Sequence, residues 1–176
     1  MAAQDPRVPV EIEDYLIALF ARAGQIGGSV GGAVGGGGAG AFGGGRGGAR
    51  GGARAATRMK TKVEERSGNV PGTPDEVAAR LAAAFPKAKP LPATGRLRLA
   101  VPIGITGLQQ IIIDLDLNLA PAGPGSVQAL LRGYGKEGLL SAHPTLKTVD
   151  TAWSAIQSGA LHPAPGLAGG RYASSG

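Results

Sequence analysis

The sequence predicts an α+β protein: a three-stranded antiparallel meander with two helices on one face (order α-β-β-β-α), preceded by an amphipathic helix and a Gly-rich tetrad-repeat segment. Three observations carry this expectation. Leu108 to Leu119 alternates apolar and polar residues, as a half-buried strand does. Thr73-Pro74-Asp75-Glu76 has the composition of a capped helix start. Glycine occupies every fourth position from Gly24 through Gly52. The chain has 176 residues, 32 of them glycine, and room for one compact domain of roughly 90 residues with appendages. The expected segments are an N-terminal amphipathic helix at 1–23, a glycine-rich connector at 24–52, a basic helix at 53–68, the α+β domain at 69–158 and a disordered tail at 159–176.

Residues 1–9 hold two prolines and are expected to be loose. From about Val10, Ile12, Tyr15, Leu16, Leu19, Phe20 and Ala23 recur at spacings of three and four, which predicts an amphipathic helix. Its first turn is acidic, as the helix dipole favours. An acidic polar face suits a protein partner surface better than an anionic membrane.

The tetrads GGSV, GGAV, GGGG, AGAF, GGGR, GGAR, GGAR and AATR then run from Gly27 to Arg58. Their last column changes from Val30, Val34 and Phe42 to Arg46, Arg50, Arg54 and Arg58. Between Arg22 and Arg46 lie 23 uncharged residues, close to the ~20 that span a bilayer as a helix. Thirteen of them are glycine, and each glycine costs a helix in water about 1 kcal/mol relative to alanine. A glycine stripe of period four drifts about 40° per tetrad, so one straight partner helix cannot follow it throughout. The expected geometries are a short right-handed crossing, a hairpin broken at Gly35-Gly36-Gly37-Gly38, or a plain flexible linker. Residues 24–57 resemble the glycine-zipper segments of bacterial envelope proteins, in which GxxxG-rich apolar stretches lead into a Gly- and Arg-rich turn such as Gly43-Gly44-Gly45-Arg46-Gly47-Gly48. The resemblance implies self-association or membrane contact through Gly24, Gly28, Gly32, Gly36, Gly40 and Gly44, and it implies no activity.

Charge is unevenly placed. The net +6 divides into −2 over residues 1–22, 0 over 23–45, +5 over 46–66 and +3 beyond. Arg46, Arg50, Arg54, Arg58, Lys60, Lys62 and Arg66 form a basic block, opposed only by Glu64 and Glu65. Such a block suits phospholipid headgroups or nucleic acid phosphates, or serves simply as a solvated face. Arg46-Gly47-Gly48 and Arg50-Gly51-Gly52 also read as two RGG units of the kind found in RNA-binding tracts. Helix formers from Ala53 to Arg66 predict the basic helix, with Arg54, Arg58, Lys62 and Arg66 on one drifting face, ended by Ser67-Gly68 and Pro71. An N-terminus with net negative charge lacks a secretory pattern. The expected location is cytoplasmic, at the inner face of the cell membrane if the repeat makes contact there.

In the domain, Thr73 caps a helix whose apolar face is Val77, Leu81 and Phe85. Leu97, Leu99, Val101 and Ile103 form the inner face of a first strand, and Pro102 places its far end on a sheet edge. Ile111, Ile113, Leu115, Leu117 and Leu119 form that of the second, and Val127, Ala129 and Leu131 that of the third. Gly133-Tyr134-Gly135-Lys136-Glu137-Gly138 reads as a bulge or strand exit. Leu146, Val149, Trp153 and Ile156 form the core stripe of a last helix from about Pro144.

The sheet's other face is expected to meet solvent. It carries the one constellation resembling a site: Asp114, Asp116 and Asn118 at two-residue spacing, with Arg98 and Arg132 on neighbouring strands. Cross-strand ion pairing accounts for this pattern. Three side chains on a flat strand are too few for a metal, and acid–base work needs a pocket. His143 and His162 lack partners at ligand spacing. Cysteine is absent, which excludes disulfides and thiolate chemistry. The expectation is a non-enzymatic interaction or assembly protein with no cofactor or metal, partnered by itself, another protein or an anionic membrane. Nucleic acid binding through the basic block is the alternative.

Overall fold

A computed structural model describes residues 5–103, 109–117, 123–137 and 143–159, without the side chains of 27–47. The elements are α1 (Val10–Arg58), β1 (Thr61–Pro71), α2 (Pro74–Ala84), β2 (Lys89–Leu91), β3 (Leu97–Ile103), β4 (Gln109–Asp116), β5 (Ser126–Lys136) and α3 (Pro144–Gln157). Asn118, Leu119, His162 and the tail expected at 159–176, apart from Gly159, lie outside the described residues.

The fold is mixed α+β, as the alternation and the helix start predict. The meander is present as β3, β4 and β5, but the sheet has five strands in the order β1-β5-β4-β3-β2, every pair antiparallel. The two added edge strands correct the three-stranded expectation. β1 replaces the C-terminal half of the expected basic helix: the helix stops at Arg58, and Thr61 to Pro71 pairs with Lys136 to Ser126 along its whole length. Eleven residues of ladder outweigh the modest helical preference of Lys, Glu and Arg. β2 pairs only Lys89–Leu91 with Ala100–Arg98. Pro102 therefore lies beyond the end of β2, where the missing amide costs no ladder bond on that side.

One sheet face packs on α2 and α3. Val77, Leu81, Leu99, Val101, Ile111, Ile113, Leu115, Leu131, Val149 and Ile156 are buried there, with Phe85 and Trp153 partly so. Thr73 closes α2 with a reciprocal capping box, its hydroxyl accepting from the Glu76 amide while Glu76 accepts from the Thr73 amide at 2.8 Å. α3 is rotated slightly from the expected stripe. Thr145, Thr148, Val149, Ala152 and Ile156 are buried, and Leu146 is half-exposed. Gly133 and Gly135 are regular strand residues rather than a bulge. They are glycine because α3 lies so close: a Cβ on Gly133 would strike Val149, and one on Gly135 would lie 2.5 Å from the Thr145 hydroxyl.

The opposite face is not open to solvent. The start of α1 lies across it, and Val8, Ile12 and Leu16 form a second buried cluster with Val63, Ala100, Ile112 and Tyr134. The amphipathic helix thus finds its partner within the same chain. Two apolar layers, one on each side of the sheet, hold the domain together.

Candidate functional site

Helical backbone runs from Val10 to Arg58, yet residues far apart along it touch. A Cβ placed on Gly24 would meet the Gly48 carbonyl oxygen and lie 3.2 Å from the Gly52 Cα. One placed on Gly52 would meet the Phe20 carbonyl oxygen and lie 3.3 Å from the Gly24 Cα. A straight helix would hold Gly24 and Gly52 about 42 Å apart. The segment therefore doubles back between Gly24 and Gly48, and its two limbs meet backbone to backbone through glycine. Such an approach is open only to residues without a Cβ. Gly51, one residue away, has no atom within 4 Å of an added Cβ, so the contact belongs to one face of the second limb. Of the geometries the repeat allows, this contact has the form of the hairpin.

The base of the hairpin is locked by polar contacts that are invisible to motif reading. Lys136 is only 2 % exposed. Its ammonium pairs with Glu13 of the first limb and donates to the Met59 carbonyl just past the second, at 3.0 Å. The Thr61 hydroxyl also donates to Glu13. A buried lysine needs such partners, because an unpaired ammonium in this environment costs several kcal/mol. The only sequence signal was the acidic first turn of α1, with Glu13 on the side that faces the sheet.

Arg98 and Asp114 form a bidentate pair under α1, Nε to Oδ1 at 2.6 Å and Nη2 to Oδ2 at 2.9 Å. Asp114 is 3 % exposed, so the expected wet face is dry at this point. Arg96 at 3.5 Å and Glu11, 3.5 Å from Arg98, extend the network. The hydrogen bond to Asp114 raises the Arg98 guanidinium above its ordinary range. Arg132 stands opposite Asp114 in register but pairs with Glu65 at 2.6 Å, and that bond raises it likewise. Burial, then the Asp114 carboxylate, pushes the Tyr134 hydroxyl up. Asp114 is therefore committed to Arg98 and Arg96, Asp116 is half-buried, and Asn118 lies outside the described residues. Among the described residues no group of three or more acidic or histidine side chains is placed to hold a metal. His143 stands at the N-cap position of α3 with no capping hydrogen bond from its side chain, its Nδ1 3.9 Å from Glu137, whose carboxylate accepts from the Thr145 amide at 2.9 Å.

The anion-contact residues divide. Arg50, Arg54 and Arg58 are exposed on the second limb, Arg22 is exposed on the first, and Lys60 and Lys62 are exposed at the base. None of these six forms an ion pair among the described residues. Arg66 does not join them: it lies on β1 and pairs with Asp150 at 2.7 Å. The expected single helical face running through Lys62 and Arg66 is therefore broken at Arg58, where helix gives way to strand. Gly28, Gly32, Gly36, Gly40 and Gly44 fall within the helical span, and they and the Arg46 side chain lie in the stretch whose side chains are not described. No helix among the described residues is long and apolar enough to cross a membrane. No protein-family model and no curated protein sequence matches the chain.

Proposed function

We propose that this chain is a non-enzymatic interaction or assembly protein, a small α+β domain whose glycine-packed helical hairpin attaches it to a membrane surface or to other copies of itself. The contact of Gly24 with Gly48 and Gly52 supports the reading. Helical glycine costs about 1 kcal/mol per residue in water, so a segment this rich in it gains from any neighbour that packs on its small face. The domain supplies a rigid base through Lys136, and the limbs carry the variable contact. In this reading the domain stays on the cytoplasmic side.

The same contact gives a clean test. Because Gly24 touches Gly52, residues 25–51 can be replaced by a short turn without pulling the base apart. Full-length and shortened chains are compared by cell fractionation and by sedimentation velocity. The reading predicts that the full chain pellets with membranes or sediments as an oligomer, and that the shortened chain does neither. Identical behaviour of the two chains sinks it. A second reading, a polyanion-binding module, rests on the exposed cations Arg50, Arg54, Arg58, Lys60 and Lys62, which form no ion pair among the described residues. It predicts salt-sensitive retention on nucleic acid that weakens when these residues become glutamine.

A further inference from the structure

We infer that the hairpin enters one leaflet of an anionic bilayer, with Arg22, Arg50 and Arg54 as a cationic collar at the headgroups. The inference rests on the attachment reading above and commits it to one partner. Arg22 is two residues from Gly24, and Arg50 lies between Gly48 and Gly52. The Gly24 contacts therefore set the two guanidiniums within about one helical turn of each other along the hairpin axis. Arg54 follows one turn nearer the domain, and all three are exposed without an ion pair among the described residues.

Beyond this level the sequence changes character. Residues 23–45 hold no charge; their larger side chains are the apolar Ile26, Val30, Val34 and Phe42 and one polar residue, Gln25, beside the collar. Ile26, just past the collar, is 52 % exposed. The 25 residues from Gly24 to Gly48, folded in two, reach about 18 Å, against a hydrocarbon core about 30 Å thick. The hairpin thus matches one leaflet and is too short for two. Along each limb, helical backbone satisfies its own polar groups, which hydrocarbon requires, and glycine pays no desolvation penalty for a side chain. The acidic residues Glu11, Glu13 and Asp14 lie at the far end of the first limb, away from the lipid. Charge complementarity selects anionic lipid, each arginine near such a surface strengthening binding about fivefold.

The absence of cysteine makes a single-label test possible. An environment-sensitive fluorophore is placed on full-length Val34→Cys, and on Asp75→Cys at the start of α2 as control. Each is mixed with vesicles of phosphatidylcholine alone or blended with phosphatidylglycerol. The expected result is a blue shift of the Val34 label only with the anionic vesicles, quenched by lipids carrying a deep acyl-chain quencher, and no shift of the Asp75 label. Replacing Arg22, Arg50 and Arg54 together with glutamine should weaken binding about a hundredfold with unchanged circular dichroism. Three outcomes overturn the inference. The Val34 label stays aqueous while the protein binds vesicles; binding is equal on neutral vesicles; or soluble nucleic acid competes fully and no label shifts. Self-association without lipid, lost on removal of residues 25–51, together with an aqueous label refutes insertion and leaves the assembly reading standing.

Discussion

Gly51 and Gly52 offer a controlled measurement of the contact between the limbs. Both are in the same helix, and alanine at either should gain about 1 kcal/mol of helix propensity. At Gly51 the new methyl group meets open space, so Gly51→Ala should stabilise the hairpin by that amount. At Gly52 it meets the Phe20 carbonyl oxygen and the Gly24 Cα at 3.3 Å, both backbone atoms that no rotamer change can move. The limbs must separate, and overpacking of this kind costs about 1–3 kcal/mol. Propensity is common to both variants, so the difference between them isolates the contact at about 1–3 kcal/mol. Native-state amide exchange across residues 15–24 and 48–58 reads it directly, because the hairpin can open without unfolding the sheet. Protection should rise in Gly51→Ala and fall relative to it in Gly52→Ala. Equal gains in both would refute the close packing of the limbs. The double variant Gly24→Ala/Gly52→Ala should also depart from additivity, since the two sites share one contact.

Further expectations concern the base and the domain. Glu13→Ala leaves Lys136 buried without its carboxylate and should cost about 3–5 kcal/mol in urea unfolding; adding Lys136→Met should recover part of the loss. Thr73→Ala removes the cap of α2 and should cost about 1 kcal/mol by the same measurement. Gly133→Ala drives a methyl into Val149 and should destabilise by about 1–3 kcal/mol, partly rescued by Val149→Ala. The Tyr134 hydroxyl lies above its ordinary 10.0 because it is buried and faces Asp114. The folded chain holds that proton more tightly than the unfolded chain, so the contribution is complete below the ordinary value and is lost as pH rises through the raised one. Tyr134→Phe should flatten the alkaline fall in the urea midpoint, and an unchanged fall would assign it elsewhere.

Periodicity made α2, β3, β4 and α3 legible, because each buries one clear stripe and α2 announces its start with a capping box. β1 was not legible. Lys62, Glu64, Glu65 and Arg66 are as compatible with a helix as with a strand, and only the distant β5 decides between them. β2 is three residues long and contains Pro90, too little for any periodic signal. The covered second face misled for a related reason. Arg98, Asp114 and Lys136 look like solvent-facing residues until α1 brings Glu11 and Glu13 over them. At the candidate site, the glycine and arginine columns could be read from the sequence. The partner of Gly24 could not, because a repeat fits itself in many registers and the choice is made by the anchoring of Glu13 and Met59 at the base.

That anchoring has a consequence for how the gene can vary. Lys136 holds both ends of the excursion, so whatever lies between them can change length while the sheet keeps its shape, and loop-closure entropy grows only slowly with the residues added. Limbs that meet at four-residue intervals make some lengths better than others. A gain or loss of two tetrads extends or trims each limb by one and restores every pairing, whereas a single tetrad displaces the fold-back point. A hairpin anchored in this way can lengthen or shorten by repeat units while the domain beneath it keeps its structure.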